Sequence, residues 1–271
     1  MNQSQRSKKI TVADILNYKN NEKIVCLTAY TYPVAKAIDG LCEIILVGDS
    51  LGMTIYGMKD TIDVSVEMMK NHGLAVMRAV EKSFVIVDIP ANSFENSPKQ
   101  ALDTAKFLIN ETGCDAVKIE TSKKQIEAIE LLVKNNIPTV SHVGLLPQKV
   151  REIGGYKYQG RLPNQAQEII EIAKMSEDAG AFACVIEAVP SNLADEISGL
   201  LKIPTIGIGA SKNCDGQVLV IDDILGLNQE FTPKFVKKYE DIFNKITSAA
   251  RAFSRDVKIG NFPQNSNLLE K

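Results

Sequence analysis

Several features that would identify other classes of protein are missing from this sequence. The five cysteines are an odd number, widely spaced and without a Cys-x-x-Cys pair, which indicates reduced thiols rather than a disulfide framework. No apolar run approaches the roughly 18 residues that a membrane span requires. The first ten residues lack the apolar segment of a signal peptide. We therefore expect a cytoplasmic protein with no membrane partner.

Charge and glycine spacing exclude two further classes. The formal net charge is -2 and no long basic block occurs, so nucleic acid is not an expected partner. The segment VGDSLGMTIYG, Val47 to Gly57, is not G-x-G-x-x-G, and a Rossmann-type dinucleotide cofactor is not indicated. With 271 residues, of which 45% are hydrophobic, the chain has room for one large α/β barrel or two ordinary domains.

What the sequence does contain is an alternation of short apolar runs with longer amphipathic ones. Most apolar runs are continuous and β-branched, as expected for parallel strands covered on both faces. Eight strands favour a (β/α)8 TIM barrel over an open doubly wound sheet, the second candidate. We predict one domain over residues 1–271, with flexible tails at about 1–10 and 260–271. The predicted strands begin at Ile24, Ile44, Phe84, Ala116, Pro138, Phe182, Ile203 and Gln217.

Cap residues mark several of the intervening helices. Ser97-Pro98 predicts the start of a helix that runs to about Thr112, Ser191 predicts another, and Thr232-Pro233 predicts a long final helix. Residues 11–21 predict an extra helix before the first strand, which would close the lower end of the barrel.

Ionisable residues recur at or near the C-terminal ends of the predicted strands. In a barrel this end carries the chemistry, and unpaired buried charges are costly, so such residues pair, bind a metal or face a polar cleft. Taken singly, each has a structural explanation, such as a helix cap for an aspartate or a core position for a histidine. Their recurrence on five strands favours a functional site. The residues are Asp49, Asp88, Lys118, Glu120, His142 and Glu187.

The chemistry of these side chains suits a 2-oxo acid. The carboxylates of Asp49, Asp88 and Glu120 are hard oxygen ligands for Mg²⁺ or another divalent cation, which would chelate the acid and stabilise its enolate. Lys118 supplies a positive charge for the substrate carboxylate or the enolate, and Glu187 is placed to remove the adjacent proton. A Schiff base on Lys118 is the competing hypothesis, disfavoured because neighbouring carboxylates raise the pKa of a lysine.

Two loops are further candidates. The segment GGYKYQGR, Gly154 to Arg161, is either a mobile flap over the site or an exposed loop, and the length of barrel loops favours the flap. The segment GIGA, Gly207 to Ala210, lies where barrels often bind phosphate, although it is a weak signal alone. Backbone amides near Ser50 either contact a substrate carboxylate or form an ordinary tight turn.

Nine short motifs follow one another over roughly residues 11 to 240. They are LTAY, VGDSLGM, VDIP, VKIE, SHVGLLPQ, GGYKYQGR, IEAVP, IPTIGIGA and DGQVLV. Together they are highly specific and resemble the ketopantoate hydroxymethyltransferases. The resemblance implies a barrel of the phosphoenolpyruvate/pyruvate superfamily and a large homo-oligomer, commonly a decamer. It implies transfer of a one-carbon unit from 5,10-methylenetetrahydrofolate to 3-methyl-2-oxobutanoate, giving 2-dehydropantoate in pantothenate biosynthesis.

The resemblance also implies roles for residues. Glu187 matches the proton acceptor, and His142 matches a histidine that lines the site. The matched metal-site carboxylates are Asp49, Asp88 and Glu120. The matched substrate contacts are Asp49, Ser50, Asp88 and Lys118.

Three positions depart from the family pattern. Thr31 stands where the family often has aspartate, Ser211 replaces the last glycine of GIGAG, and Asp222-Asp223 replaces a His-Asp pair. None of these removes a matched ligand or base, so they bear on the folate contacts more than on the reaction type.

Two other functions compete with this interpretation. A metal-dependent lyase or mutase of the same superfamily would share the carboxylates and ignore folate, but IEAVP and GGYKYQGR argue against it. A non-catalytic binding protein on the same fold is disfavoured because every matched ligand and base is present.

Overall fold

A computed structural model describes residues 8–229 and 232–267. The chain forms two compact units, Met1–Val220 and Ile221–Lys271. In the first unit eight parallel strands pair in chain order, and the last strand pairs with the first to close a barrel. The predicted TIM barrel is therefore confirmed. The single-domain prediction stays a prediction, and the outermost parts of the predicted tails, 1–7 and 268–271, lie outside the described residues.

Each of the eight predicted strands is present and begins within two residues of its predicted start. Six of them, from β2 to β7, have no exposed residue on either face, which explains why their apolar runs are continuous, whereas β1 and β8 each carry one exposed residue. The strands are β1 (Ile24–Thr28), β2 (Ile44–Val47), β3 (Phe84–Asp88), β4 (Ala116–Glu120), β5 (Thr139–Gly144), β6 (Ala183–Glu187), β7 (Thr205–Ile208) and β8 (Gly216–Leu219).

Helices of the first unit connect these strands, with short 3-10 turns at Lys123–Gln125 and Pro147–Lys149. The helices are α1 (Val12–Asn17), α2 (Tyr32–Ile38), α3 (Leu51–Thr54), α4 (Val66–Met77), α5 (Pro98–Thr112), α6 (Ile126–Lys134), α7 (Val150–Ile153), α8 (Pro163–Asp178) and α9 (Ser191–Leu200). The predicted cap of α5 is confirmed, because the Ser97 side chain accepts a hydrogen bond of 3.1 Å from the Gln100 amide.

The lower half of the barrel interior is an apolar core. Phe84 and Phe182 meet edge to face there, with ring centroids 5.7 Å apart. The extra N-terminal helix α1 is present, and its fully buried Ile15 belongs to the same cluster as Ile24 and Ile44. The helix therefore closes the lower end of the barrel, as predicted.

The second unit contains α10 (Ile221–Ile224) and α11 (Ile242–Lys258). The prediction that Thr232-Pro233 opens the final helix is wrong, since α11 begins at Ile242. The amides of Tyr239 and Ile242 donate to carbonyls at the end of α10, so the segment before α11 cannot make helical hydrogen bonds. None of the described helices combines the length and the apolar content that crossing a membrane demands.

Candidate active site at the carboxyl ends of the strands

The predicted ionisable residues lie at the carboxyl ends of the strands, here called the rim. Side chains two positions apart on a strand share one face. On β4, Ala116 belongs to the apolar core, and Lys118 and Glu120 follow it on the same face. On β5, His142 follows the core residue Val140 in the same way. The barrel interior therefore changes from apolar to charged toward the rim.

Lys118 is the cation at the centre of the rim. Its Nζ lies 3.1 Å from Oδ1 of Asp88 and 3.4 Å from Nδ1 of His142. Burial lowers the pKa of Lys118, but the carboxylates of Asp88, Asp49 and Glu120 outweigh burial and raise it to about 12. A protonated amine cannot act as a nucleophile, which weighs against the Schiff-base hypothesis.

Asp49 and Asp88 are adjacent and linked through the backbone. The amide of Asp49 donates a hydrogen bond of 3.1 Å to Oδ2 of Asp88. Burial, followed by repulsion from the Asp88 carboxylate, raises the pKa of Asp49 to about 7. Burial and repulsion from Asp49 also raise the pKa of Glu120 well above its usual range. These carboxyl groups are therefore buried close together, and their ionised forms are disfavoured.

Ser50 lies beside Asp49 and is held by a chain of hydrogen bonds. Its hydroxyl is 2.7 Å from the hydroxyl of Tyr30. The Tyr30 carbonyl can only accept, so Nδ1 of His72, 2.6 Å away, donates to it. Nε2 of His72 lies 3.0 Å from the Tyr56 hydroxyl and is hydrogen-bonded to it. His72 thus supports the turn that carries Ser50.

Glu187 ends β6 and faces His142. Nε2 of His142 lies 3.2 Å from Oε2 of Glu187, without the angles of a hydrogen bond. Burial and the positive charge of Lys118 lower the pKa of His142 well below its usual range, so its imidazole is neutral. Burial raises the pKa of Glu187 to about 7. The rim therefore holds a permanent cation and a carboxyl group that titrates near neutrality.

Gln148 is a rim residue that the sequence did not single out. Its backbone amide donates to Oε1 and Oε2 of Glu120 at 3.0 and 3.3 Å. Its side-chain amide donates to Oδ2 of Asp49 at 2.7 Å and to the Ile89 carbonyl at 3.0 Å. A glutamine after Leu-Leu-Pro has the appearance of an ordinary loop residue, and only the fold reveals these contacts.

The segment Gly154–Arg161 reaches the rim. The amide of Gln159 donates to the Ala188 carbonyl at 2.9 Å, directly after β6. The Tyr156 hydroxyl donates to Sδ of Met53 at 3.2 Å. Partial burial, then the charges of Asp60 and Asp49, raise the pKa of Tyr156 to about 12. The segment therefore lies beside the carboxylates, and its motion as a flap stays a prediction.

Two of the three departures from the family pattern have plain structural roles. Thr31 precedes α2 as its cap residue, without a side-chain cap bond. The Ser211 hydroxyl donates to Asp195, and its carbonyl accepts from the Gln217 side chain at 2.8 Å, which fixes the loop between β7 and β8. Asp222 and Asp223 lie in the second unit, in α10.

The donor set of the rim fits a divalent cation. Asp49, Asp88 and Glu120 offer hard oxygen atoms, and Lys118 alone does not balance their charge. Oδ1 of Asp88 is buried, and within the described residues it lies 3.1 Å from the Lys118 ammonium without meeting the geometric criteria of a hydrogen bond. Across residues 8–229 and 232–267, however, no three His, Cys, Asp or Glu side chains form a ready ligand cluster. The fit therefore rests on donor chemistry and charge.

Fold and site together define a (β/α)8-barrel protein whose rim carries a buried cation and clustered carboxyl groups. The model of the ketopantoate hydroxymethyltransferase family matches residues 9–265. The chain therefore belongs to the ketopantoate hydroxymethyltransferase family, which consists of transferases.

Individual relatives agree with this family. A 3-methyl-2-oxobutanoate hydroxymethyltransferase of Paramagnetospirillum magneticum is 47% identical over 263 residues, covering 97% of this chain and 96% of the relative. The enzyme of that name from Agrobacterium fabrum is 47% identical, covering 97% and 94%.

Solved structures of lower similarity share the fold. A phosphonopyruvate hydrolase has a TM-score of 0.62 at 14% identity, covering 97% of this chain and 92% of its own. A phosphoenolpyruvate phosphomutase of Streptomyces platensis subsp. rosaceus has a TM-score of 0.60 at 12% identity, covering 93% and 88%. These likenesses show the shared barrel fold alone.

Proposed function

We propose that this chain transfers a one-carbon unit from 5,10-methylenetetrahydrofolate to 3-methyl-2-oxobutanoate, giving 2-dehydropantoate for pantothenate synthesis. The relatives named above carry out hydroxymethyl transfer to this 2-oxo acid according to their names. The observation that carries the proposal is the pairing of Glu187, with a pKa of about 7, with the permanent cation Lys118 on one rim.

Glu187 is the general base of the proposed reaction. A carboxylate with a pKa near neutrality is both ionised in the cell and basic enough to accept a proton from carbon. Glu187 takes the proton from C3, and the electron pair of the broken C–H bond moves toward the keto oxygen. The neutral imidazole of His142 lies 3.2 Å from Oε2 and adds no competing positive charge beside the carboxyl group.

The substrate carboxylate binds at Lys118 and the Ser50 turn. Lys118 supplies a fixed positive charge, and Asp88 anchors its ammonium at 3.1 Å. The Ser50 turn offers a hydroxyl already oriented by Tyr30 at 2.7 Å. Together these contacts would place C3 toward Glu187, with His142 lining the pocket. Asp49 and Asp88 would complete the substrate contacts.

Asp49, Asp88 and Glu120 would hold Mg²⁺ or another divalent cation. When bound, such an ion supplies Lewis-acid stabilisation of the negative charge that develops on the keto oxygen. Overall, the C3–H bond and the two bonds from folate nitrogens to the one-carbon unit break. A C–C bond forms at C3 and a C–O bond forms to the oxygen of water. The proton from C3 and one proton of water end on the two folate nitrogens, which gives tetrahydrofolate.

We also propose that the enzyme works in the cytoplasm as a homo-oligomer, for which the resemblance to the family implies a decamer. Light scattering coupled to size-exclusion chromatography measures the molar mass directly. A mass near 29.7 kDa, that of one chain, would contradict the oligomer.

The test of the reaction is mass spectrometry of the product from 3-methyl-2-oxobutanoate, with and without methylenetetrahydrofolate and Mg²⁺. We expect gain of one CH2O unit only when both are present. Folate-independent cleavage of a 2-oxo dicarboxylate would instead identify a lyase. Absence of product with folded, Mg²⁺-loaded protein would contradict the proposed function.

A further inference from the structure

Gln148 is buried in the rim, and the proposed reaction assigns no role to it. It lies in the 3-10 turn that follows β5. Its backbone amide contacts Glu120 and its side-chain amide contacts Asp49, so one residue joins two carboxylates that come from different strands.

Hydrogen bonding determines the orientation of the Gln148 side chain. The Asp49 carboxylate and the Ile89 carbonyl contain only acceptor atoms, so Nε2 must face both. Rotating the amide by half a turn would place Oε1 against two acceptors. Oε1 is buried and accepts no hydrogen bond within the described part of the chain. Both N–H groups of the amide are therefore committed, one of them to Asp49.

The turn that carries Gln148 is fixed from outside the rim as well. Arg151 in α7 donates from Nε and Nη2 to the two carboxylate oxygens of Asp60, at 2.8 and 2.9 Å. Nη2 also donates to Asp63 at 2.6 Å. A two-point guanidinium–carboxylate contact defines direction as well as distance. The Gln148 amide is thus held in place before any ligand arrives.

We propose that Gln148 is a positioning residue that holds Asp49 and Glu120 in the orientation required for a divalent cation. This rests on the proposed metal role of those two carboxylates. Hydrogen bonds to metal-ligating groups from an outer layer of residues are typically worth about 10–100-fold in metal affinity. Because the bond to Glu120 comes from the backbone, a substitution of the side chain keeps it and removes the bonds to Asp49 and to the Ile89 carbonyl, of which only the bond to Asp49 is to a proposed metal ligand.

The experiment compares the Mg²⁺ dissociation constants of the full-length wild type, Gln148→Met and Gln125→Met by isothermal titration calorimetry. Methionine keeps the length of the side chain without its donors. Gln125 is the matched control, because it is also buried and its side chain bonds to Ser122. We expect Gln148→Met to bind Mg²⁺ about 10–100-fold more weakly and Gln125→Met to resemble the wild type. We also expect excess Mg²⁺ to restore kcat of Gln148→Met.

The outcomes separate two possible failures. If the wild type binds Mg²⁺ and Gln148→Met binds it equally well, the role of Gln148 is overturned while the proposed function stands. If the wild type makes product yet binds no Mg²⁺, the metal assignment and the role of Gln148 both fall. If Gln148→Met does not fold, Gln148→Asn replaces it under the same criterion, since its amide is one methylene too short to keep both contacts.

Discussion

At the scale of single residues, the surroundings decide what each ionisable group can do. Burial acts on both Glu187 and Lys118, and it raises the pKa of the carboxyl group to about 7. For Lys118, burial is outweighed by the carboxylates of Asp88 and Asp49, and the pKa rises to about 12. Glu187 therefore exchanges protons near neutrality, whereas Lys118 stays protonated. Enolisation requires this combination of a proton acceptor and a fixed positive charge.

Replacing Glu187 with glutamine tests its role as the base. The amide has the same shape but cannot accept the proton, so kcat should fall by about 10²–10⁴-fold while the Mg²⁺ dissociation constant stays near that of the wild type. Steady-state kinetics and calorimetry measure the two quantities. Glu171→Gln, at an exposed carboxylate on α8 that pairs with Lys123, is the matched control. Unchanged turnover in Glu187→Gln would remove the residue from this role.

The pH dependence of kcat/KM follows from the same pKa. The base must be ionised, so activity should fall as the pH drops through about 7, the pKa of Glu187. Saturating Mg²⁺ keeps Asp49 from titrating in the same range under the proposed metal role. Initial rates between pH 5.5 and 8.5 test this expectation, and a rate that rises on acidification would contradict it.

The sequence alone could predict rim residues that end a strand, because the position of a strand end also determines its place in the barrel. Asp88, Lys118 and Glu187 were found this way and lie on one rim. Their roles as base, ligand or substrate contact stay predictions. Gln148 could not be found in this way, because its contacts depend on how a loop folds back over two other strands.

At the scale of secondary-structure elements, the end of β5 constrains the end of β6. Gly144 has a φ of +94°, and a Cβ atom there would lie 2.3 Å from the Glu187 carbonyl oxygen. That oxygen also accepts a hydrogen bond of 2.8 Å from the Leu145 amide. Only glycine allows the two strands to approach this closely and keep Glu187 where it is.

Gly144→Ala should therefore damage both stability and catalysis. We expect a loss of about 2 kcal/mol or more in the free energy of unfolding, together with reduced kcat, because the backbone of Glu187 must move. Urea unfolding and steady-state kinetics measure the two effects. Gly199→Ala in α9 is the control, because no atom lies within 4 Å of its added Cβ. Equal behaviour of the two variants would contradict this account.

Element boundaries differ in how well the sequence predicts them. The sequence predicts the strand starts to within two residues because continuous β-branched runs are typical of buried parallel strands. The final helix was misplaced because Thr232-Pro233 is a good local start signal, yet backbone amides at Tyr239 and Ile242 bond to α10 instead. Asp241 caps the actual start through the Asn244 amide at 3.4 Å. Non-local hydrogen bonds overrode a local preference.

At the scale of the whole molecule, protonation of the buried carboxyl groups in the barrel affects the free energy of unfolding. The pKa of Asp49 and that of Glu187 are raised to about 7, and that of Glu120 is raised well above its usual range. Between the usual carboxyl pKa, about 4, and these raised values, the folded state binds more protons than the unfolded state. The free energy of unfolding should therefore fall as the pH rises through this window.

His142 opposes this trend without reversing it. Its pKa is lowered well below the usual value of the imidazole, so its contribution to stability is present above about pH 6.5 and is lost as the pH falls below it. One histidine acts against three carboxyl groups, and it acts only in the lower part of the window. The net sign is therefore set by the carboxyl groups between pH 6 and pH 8.

Metal-free protein should accordingly be more stable at pH 6 than at pH 8. For each proton that the folded state binds in excess of the unfolded state, the free energy of unfolding changes by about 1.4 kcal/mol per pH unit. Urea unfolding in EDTA at fixed protein concentration can resolve a change of this size. Saturating Mg²⁺ should raise stability most at pH 8, because the cation favours ionised carboxylates and competes with their protons. The difference between the two pH values should therefore shrink or invert when Mg²⁺ is added. Equal Mg²⁺ stabilisation at both pH values would show that the ion does not bind these carboxylates.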